Sequence, residues 1–186
     1  MSGKFTDKQK IALWQQRQDA NFFASFSLGG TTLDLGAPNP GLPHLQALHR
    51  ALFHDVLDQA GELRSVDMQL GDTPCCHYEY IEKEGNALMQ ALEEEIGVAV
   101  LPVNQLVERL AWYYCELTVL HPFLRGNGRA LRLFFEQLII HAGYDIRWRL
   151  IDPVSWQSAV KASLTGDLAL LTAAFGKVVS ERPENA

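Results

Sequence analysis

The sequence predicts a mostly α-helical domain, a helical bundle with one short β-hairpin, and three observations carry that expectation. Apolar residues recur at helical spacing over 104–120, at Leu106, Leu110, Tyr113, Leu117 and Leu120. They recur again over 129–140, at Leu131, Phe134, Phe135, Leu138 and Ile139. Between Arg64 and Cys76 the period changes to two: Val66, Met68 and Leu70 alternate with Asp67 and Gln69, and Gly71-Asp72 supplies a turn. With 186 residues, 47% of them hydrophobic, the chain is long enough to bury a sizeable core as a single domain.

Taken in order, the first element expected is an N-terminal helix near Lys8 to Phe26. A Pro/Gly break from Pro38 to Pro43 separates it from a helix beginning at Leu45. Residues 1–42 are thus read as an N-terminal helical extension, 43–179 as the core and 180–186 as a charged tail. The hairpin follows. The helix over 104–120 must stop at His121, because Pro122 disfavours helical geometry in the residue before it. A new helix then opens at Gly126-Asn127-Gly128.

Composition excludes several functions. A formal net charge of −6 argues against direct nucleic-acid binding and against an anionic membrane surface. No apolar run approaches ~18 residues, so no membrane span is expected. Met1 to Lys10 is polar and lacks a signal-peptide core. Three cysteines, with Cys75 and Cys76 adjacent, make a poor disulfide framework, and Cys115 falls in no metal-ligand spacing. A reduced, cytoplasmic protein with no protein-bound metal is the expectation.

The chemistry is concentrated in His121-Pro-Phe-Leu-Arg-Gly-Asn-Gly-Arg-Ala-Leu-Arg132. A titratable base stands where one helix stops. Five residues on, two glycines open another helix, where unpaired N–H groups and the positive dipole end meet and a phosphate can approach the backbone closely. Arg129 and Arg132 leave the first turn on neighbouring faces, and two guanidinium forks suit a polyphosphate better than one carboxylate. Each piece alone has a bland reading: a histidine cap, an ordinary Gly-Asn-Gly turn, an Arg132–Glu136 surface pair. Phe123 is core in either case. The order and spacing together point to a nucleotide.

The stretch resembles the signature of the Fic family, His-Pro-Phe-x-(Asp/Glu)-Gly-Asn-Gly-Arg-x-x-Arg, and matches every defined position except one. Gly71 to His77 and Tyr80 to Met89 are similar to the flap and following helix of short, single-domain bacterial Fic toxins, so the likeness runs from about Pro43 to Val179. It implies a protein adenylyltransferase with ATP as its substrate. His121 would take the proton of a target Ser, Thr or Tyr hydroxyl. Gly126, Asn127 and Gly128 would hold the α- and β-phosphates, and Arg129 and Arg132 would neutralise the β- and γ-phosphates. Val66, Asp67, Met68, Gln69 and Leu70 would form the flap that pairs with the target backbone. A lysine at the Gly128 position, the mark of kinase relatives, is absent.

The departure is Arg125, where the family carries the acidic ligand of its magnesium. A guanidinium cannot coordinate a cation, which puts Mg²⁺ in question. Two consequences stand side by side: an active enzyme in which Arg125 replaces some of the metal's charge, or a catalytically impaired Fic domain that binds nucleotide or an antitoxin without efficient turnover. The family's inhibitory pattern, (Ser/Thr)-x-x-x-Glu-(Gly/Asn), is matched in letters by Ser180 to Asn185, but Pro183 lies within it and only Ala186 follows. The resemblance therefore implies a separate small antitoxin that supplies the inhibitory helix. It also implies a protein substrate such as the ATP-binding subunits of type II topoisomerases.

Overall fold

The computed structural model of the chain describes residues 41–97 and 101–181. The expected helix at Lys8 to Phe26 and residues 182–185 of the inhibitor-like pattern lie outside the described residues. Among those described, six helices form the body, as the apolar periodicity requires: α1 (Leu42–Phe53), α2 (Ile81–Leu92), α3 (Val103–Leu120), α4 (Asn127–His141), α5 (Pro153–Ser163) and α6 (Ala169–Val178). Two short ribbons accompany them. The first pairs β1 (Gln69–Leu70) with β2 (Thr73–Pro74), and the second pairs β3 (Tyr144–Ile146) with β4 (Val179–Glu181), both antiparallel.

Helix α3 is the axis. Its stripe, Leu106, Leu110, Tyr113, Leu117 and Leu120, is buried throughout, and it packs against α2, α4 and α6. The stripe on α4, Leu131, Phe134, Phe135, Leu138 and Ile139, is buried in the same core. Full burial of each such side chain contributes about 1.5–3 kcal/mol. Helices α5 and α6 join this core through aromatic rings. Trp156 of α5 stands edge-on to Tyr114 of α3 at 5.1 Å and to Phe175 of α6 at 5.4 Å. Helix α5 starts sharply because Pro153 occupies its first turn and the Asp152 carboxylate accepts the Ser155 N–H at 2.9 Å.

Three expectations need correction. The helix expected from Leu45 begins at Leu42, since Pro43 belongs to its first turn, where no N–H donor is needed. The flap strand expected over Val66 to Leu70 is paired only at Gln69 and Leu70, opposite Pro74 and Thr73. The Met68 carbonyl still accepts the Cys75 N–H at 3.0 Å, but the Val66 carbonyl accepts from the Arg64 side chain, and the Asp67 carboxylate accepts from the Tyr78 N–H at 3.0 Å. Ser180 and Glu181, expected in the tail, pair instead with Asp145 and Tyr144 in the second ribbon.

Candidate active site

The turn between α3 and α4 is built by its sequence. Helix α3 ends on His121, which caps it in the left-handed conformation at φ 46° and still donates its N–H to the Leu117 carbonyl at 3.2 Å. Pro122 forbids another helical turn. Gly126, at φ 80°, opens α4 and lies so close to α1 that an added Cβ would come within 2.5 Å of the Phe53 ring. The Asn127 side chain closes the loop: its Oδ1 accepts the Phe123 N–H at 2.9 Å, and its Nδ2 donates to the Phe123 carbonyl at 2.7 Å. One Nδ2 hydrogen remains beyond these two bonds.

Beneath the loop sits His49 of α1, 1% exposed and stacked on Phe123 at 3.9 Å. Its Nδ1 accepts the Gly61 N–H at 2.8 Å, so Nε2 carries the proton and donates to the Arg125 carbonyl at 2.8 Å. Desolvation pushes its pKa down, against the opposing effect of the Arg125 bond, and keeps this tautomer neutral. His49 thus holds the loop between α3 and α4 from below.

Above the loop opens a cavity of about 370 Å³. His121, Arg125, Gly126, Asn127, Gly128, Arg129 and Arg132 all line it, so the structure brings together every motif residue singled out in the sequence. Of the flap residues only Leu70 reaches it; Val66, Asp67, Met68 and Gln69 do not. Helix α5 supplies the far wall with Trp156, Gln157, Val160 and Lys161, and α3 adds Tyr114 and Thr118.

Its electrostatics are one-sided. Four cations, Arg125, Arg129, Arg132 and Lys161, line the cavity, and among the described residues no carboxylate does. Arg129 and Arg132 are each 5% exposed. Burial lowers the Arg132 pKa and the Tyr114 phenol beside it works the other way, while a guanidinium remains charged regardless. Glu136, the candidate surface partner of Arg132, accepts the Trp148 indole N–H at 3.0 Å. At His121, Nδ1 lies 3.3 Å from the Thr118 carbonyl, which can only accept; the proton is on Nδ1 and the lone pair on Nε2. Desolvation first, then the charge of Arg64, lowers the His121 pKa, against the opposing effect of the Thr118 bond.

Such a lining does not fit a magnesium ion held by protein oxygens. Among the described residues no carboxylate of the kind a hard dication needs lines it and no group of three or more candidate ligands occurs, and the Asn127 oxygen is committed to Phe123.

Sequence reasoning missed His49, Arg64 and the whole α5 wall. His49 carried a usable signal, a polar residue within the apolar stripe Leu45, Leu48, Leu52 and Phe53. The α5 residues carried none, since nothing in their spacing ties them to residue 121.

Comparison with known proteins agrees with this geometry. The Fic/DOC family model matches residues 40–139, and a second model, YhfG, matches residues 3–51. The chain is 52% identical over 171 residues to "Probable protein adenylyltransferase Fic" of Escherichia coli strain K12, covering 92% of this chain and 86% of that protein. Among solved structures, the N-terminal Fic domain of a Bartonella effector protein from Bartonella sp. AR 15-3 superposes with a TM-score of 0.79 at 18% identity, covering 96% of this chain and 85% of that one. The BepC protein of Bartonella tribocorum, with bound AMPPNP, gives a TM-score of 0.69 at 24% identity over 78% and 77% of the two chains.

Proposed function

Since this chain belongs to the Fic/DOC family, we propose that it is a nucleotidyltransferase, a protein adenylyltransferase that moves AMP from ATP to a Ser, Thr or Tyr hydroxyl of a bacterial protein. The observation that carries the reading is the cavity, in which a neutral imidazole and four cations share one lining with no carboxylate among the described residues. The adenylyltransferase name of the Escherichia coli relative supports it.

In this mechanism the target hydroxyl lends its proton to His121 Nε2, the nitrogen that the Thr118 contact leaves unprotonated. The hydroxyl oxygen bonds to the α-phosphorus, the bond from that phosphorus to the bridging oxygen breaks, and pyrophosphate leaves. The α4 N-terminus with Gly126 and Gly128 receives the phosphates, and Arg129 and Arg132 stabilise charge as it moves onto the leaving group. Arg125 and Lys161 add positive charge at the same cavity. No step is routed through a metal. The flap hairpin, touching the cavity at Leu70, would present its edge to the target backbone. On this reading the ATP-binding subunits of type II topoisomerases are a candidate target class, and a separate small antitoxin supplies the inhibitory helix.

A second reading, a Fic domain that binds nucleotide or an antitoxin without efficient turnover, is favoured by one observation, a lining with no carboxylate among the described residues and with Arg125 at the metal-ligand position. The transferase and the nucleotide-binding form of the second reading both need a triphosphate site. Calorimetry with a non-hydrolysable ATP analogue should show binding to the native protein and, for Arg129→Ala, roughly tenfold weaker binding, the loss of one charge-assisted fork. No binding to the native protein, or equal binding to Arg129→Ala, would refute the site.

A further inference from the structure

Arg64 lies outside the motif, yet it is 3% exposed and its guanidinium meets four backbone carbonyls. Nε donates to the His121 carbonyl at 2.7 Å, Nη1 to Val66 at 2.6 Å, and Nη2 to Leu120 at 3.2 Å and to Cys76. Its backbone N–H donates to Pro122 at 2.9 Å, and the Cys76 N–H donates to Val119 at 3.0 Å. These acceptors belong to two different structures. Leu120 and His121 carry carbonyls at the C-terminal end of α3, where no intrahelical donor follows and the negative dipole end favours a cation. Val66 and Cys76 stand on either side of the flap ribbon. A helix cap would need only the first pair and a hairpin staple only the second. One rigid planar fork bonds both.

We propose that Arg64 is a positioning residue, whose guanidinium fixes the flap hairpin relative to the imidazole of His121. The inference rests on the adenylyl-transfer reading above. His121 holds a left-handed backbone conformation that is sparsely populated for a residue with a side chain, and such strain persists only where surrounding contacts over-determine it. The Arg64 bond to its carbonyl is one of those contacts. The Arg64 charge also helps to lower the His121 pKa, so its removal should be readable at the imidazole. The other charged groups on the cavity, Arg125, Arg129 and Arg132 from the loop and head of α4 and Lys161 from α5, stay in place.

Arg64→Met keeps an apolar stem without donors or charge, and Arg64→Lys keeps the charge without the fork. In Arg64→Met, NMR titration should show His121 protonating at higher pH, and amides of 66–76 should exchange with deuterium faster while α1 and α4 keep their protection. Affinity for a non-hydrolysable ATP analogue should hold, and AMP transfer to lysate protein should fall about a hundredfold, the cost of a misplaced reacting pair. Arg64→Lys should restore the His121 titration but not the hairpin protection. A folded Arg64→Met with native titration and native hairpin exchange, or a loss of transfer that follows ATP affinity alone, would overturn the proposal. If Arg64→Met does not fold, native-state exchange of the unmodified protein decides: joint opening of the Arg64 and Cys76 amides supports the coupling, and separate openings refute it. If the native protein transfers no AMP, the adenylyl-transfer reading fails, while titration and exchange still decide whether Arg64 couples the two structures.

Discussion

At His121 a backbone contact sets the chemistry. The Thr118 carbonyl keeps a proton on Nδ1, and burial keeps the ring neutral below its usual pKa of 6.5. In the proposed mechanism the base form is the active one, so a lowered pKa extends activity toward acid: kcat/KM for AMP transfer should rise through a midpoint below 6.5 and level off above it. A midpoint above 6.5 would assign the base elsewhere. His121→Ala should lose about 10²–10⁴-fold in transfer, the range for a positioned general base, with nucleotide affinity retained. Arg125 fixes a second sign. Replacing it by Glu removes a cation and adds a hard oxygen ligand to a lining that has no carboxylate among the described residues, so Arg125→Glu should raise transfer and make it magnesium-dependent. Transfer assays over a magnesium titration check this, and greater activity in the arginine form would show that Arg125 itself supplies the charge.

Among the elements, the α3–α4 turn has the least tolerance. Gly126 combines a left-handed φ of 80° with the Phe53 ring 2.5 Å from where a Cβ would sit. Gly126→Ala should therefore cost about 1–2 kcal/mol from the backbone alone, more once Phe53 moves, and should weaken ATP binding as the α4 N-terminus shifts. Urea unfolding and calorimetry would show both; native stability would mean that the loop relaxes freely. This turn was legible in the sequence because its signals are local, Pro122 after one stripe and Gly126 before another. The second ribbon was not legible, since strands of three residues, Tyr144–Ile146 and Val179–Glu181, are too short to display a period. The flap was overextended because alternation over Val66 to Leu70 says nothing of the Arg64 fork, which takes the Val66 carbonyl, or of the Asp67 carboxylate, which reaches out to the Tyr78 N–H.

For the whole molecule, the two long stripes foretold which residues make the core, and the motif foretold one wall of the cavity. The opposite wall is assembled by packing: the Tyr114–Trp156–Phe175 rings bring α5 over the motif at 121–132, a relation no spacing encodes. Charge is distributed against the average. A chain of net charge −6 gathers Arg125, Arg129, Arg132 and Lys161 around one cavity, a local field that draws in a polyanion. The reaction assigned to that field makes a distinction that a single labelling experiment reads. The native protein, incubated with bacterial lysate, should transfer label from ATP labelled at the α-phosphate to protein and none from ATP labelled at the γ-phosphate, with His121→Ala at background. Protein labelled from the γ-phosphate, or α-label transferred equally by His121→Ala, would contradict adenylyl transfer from this site.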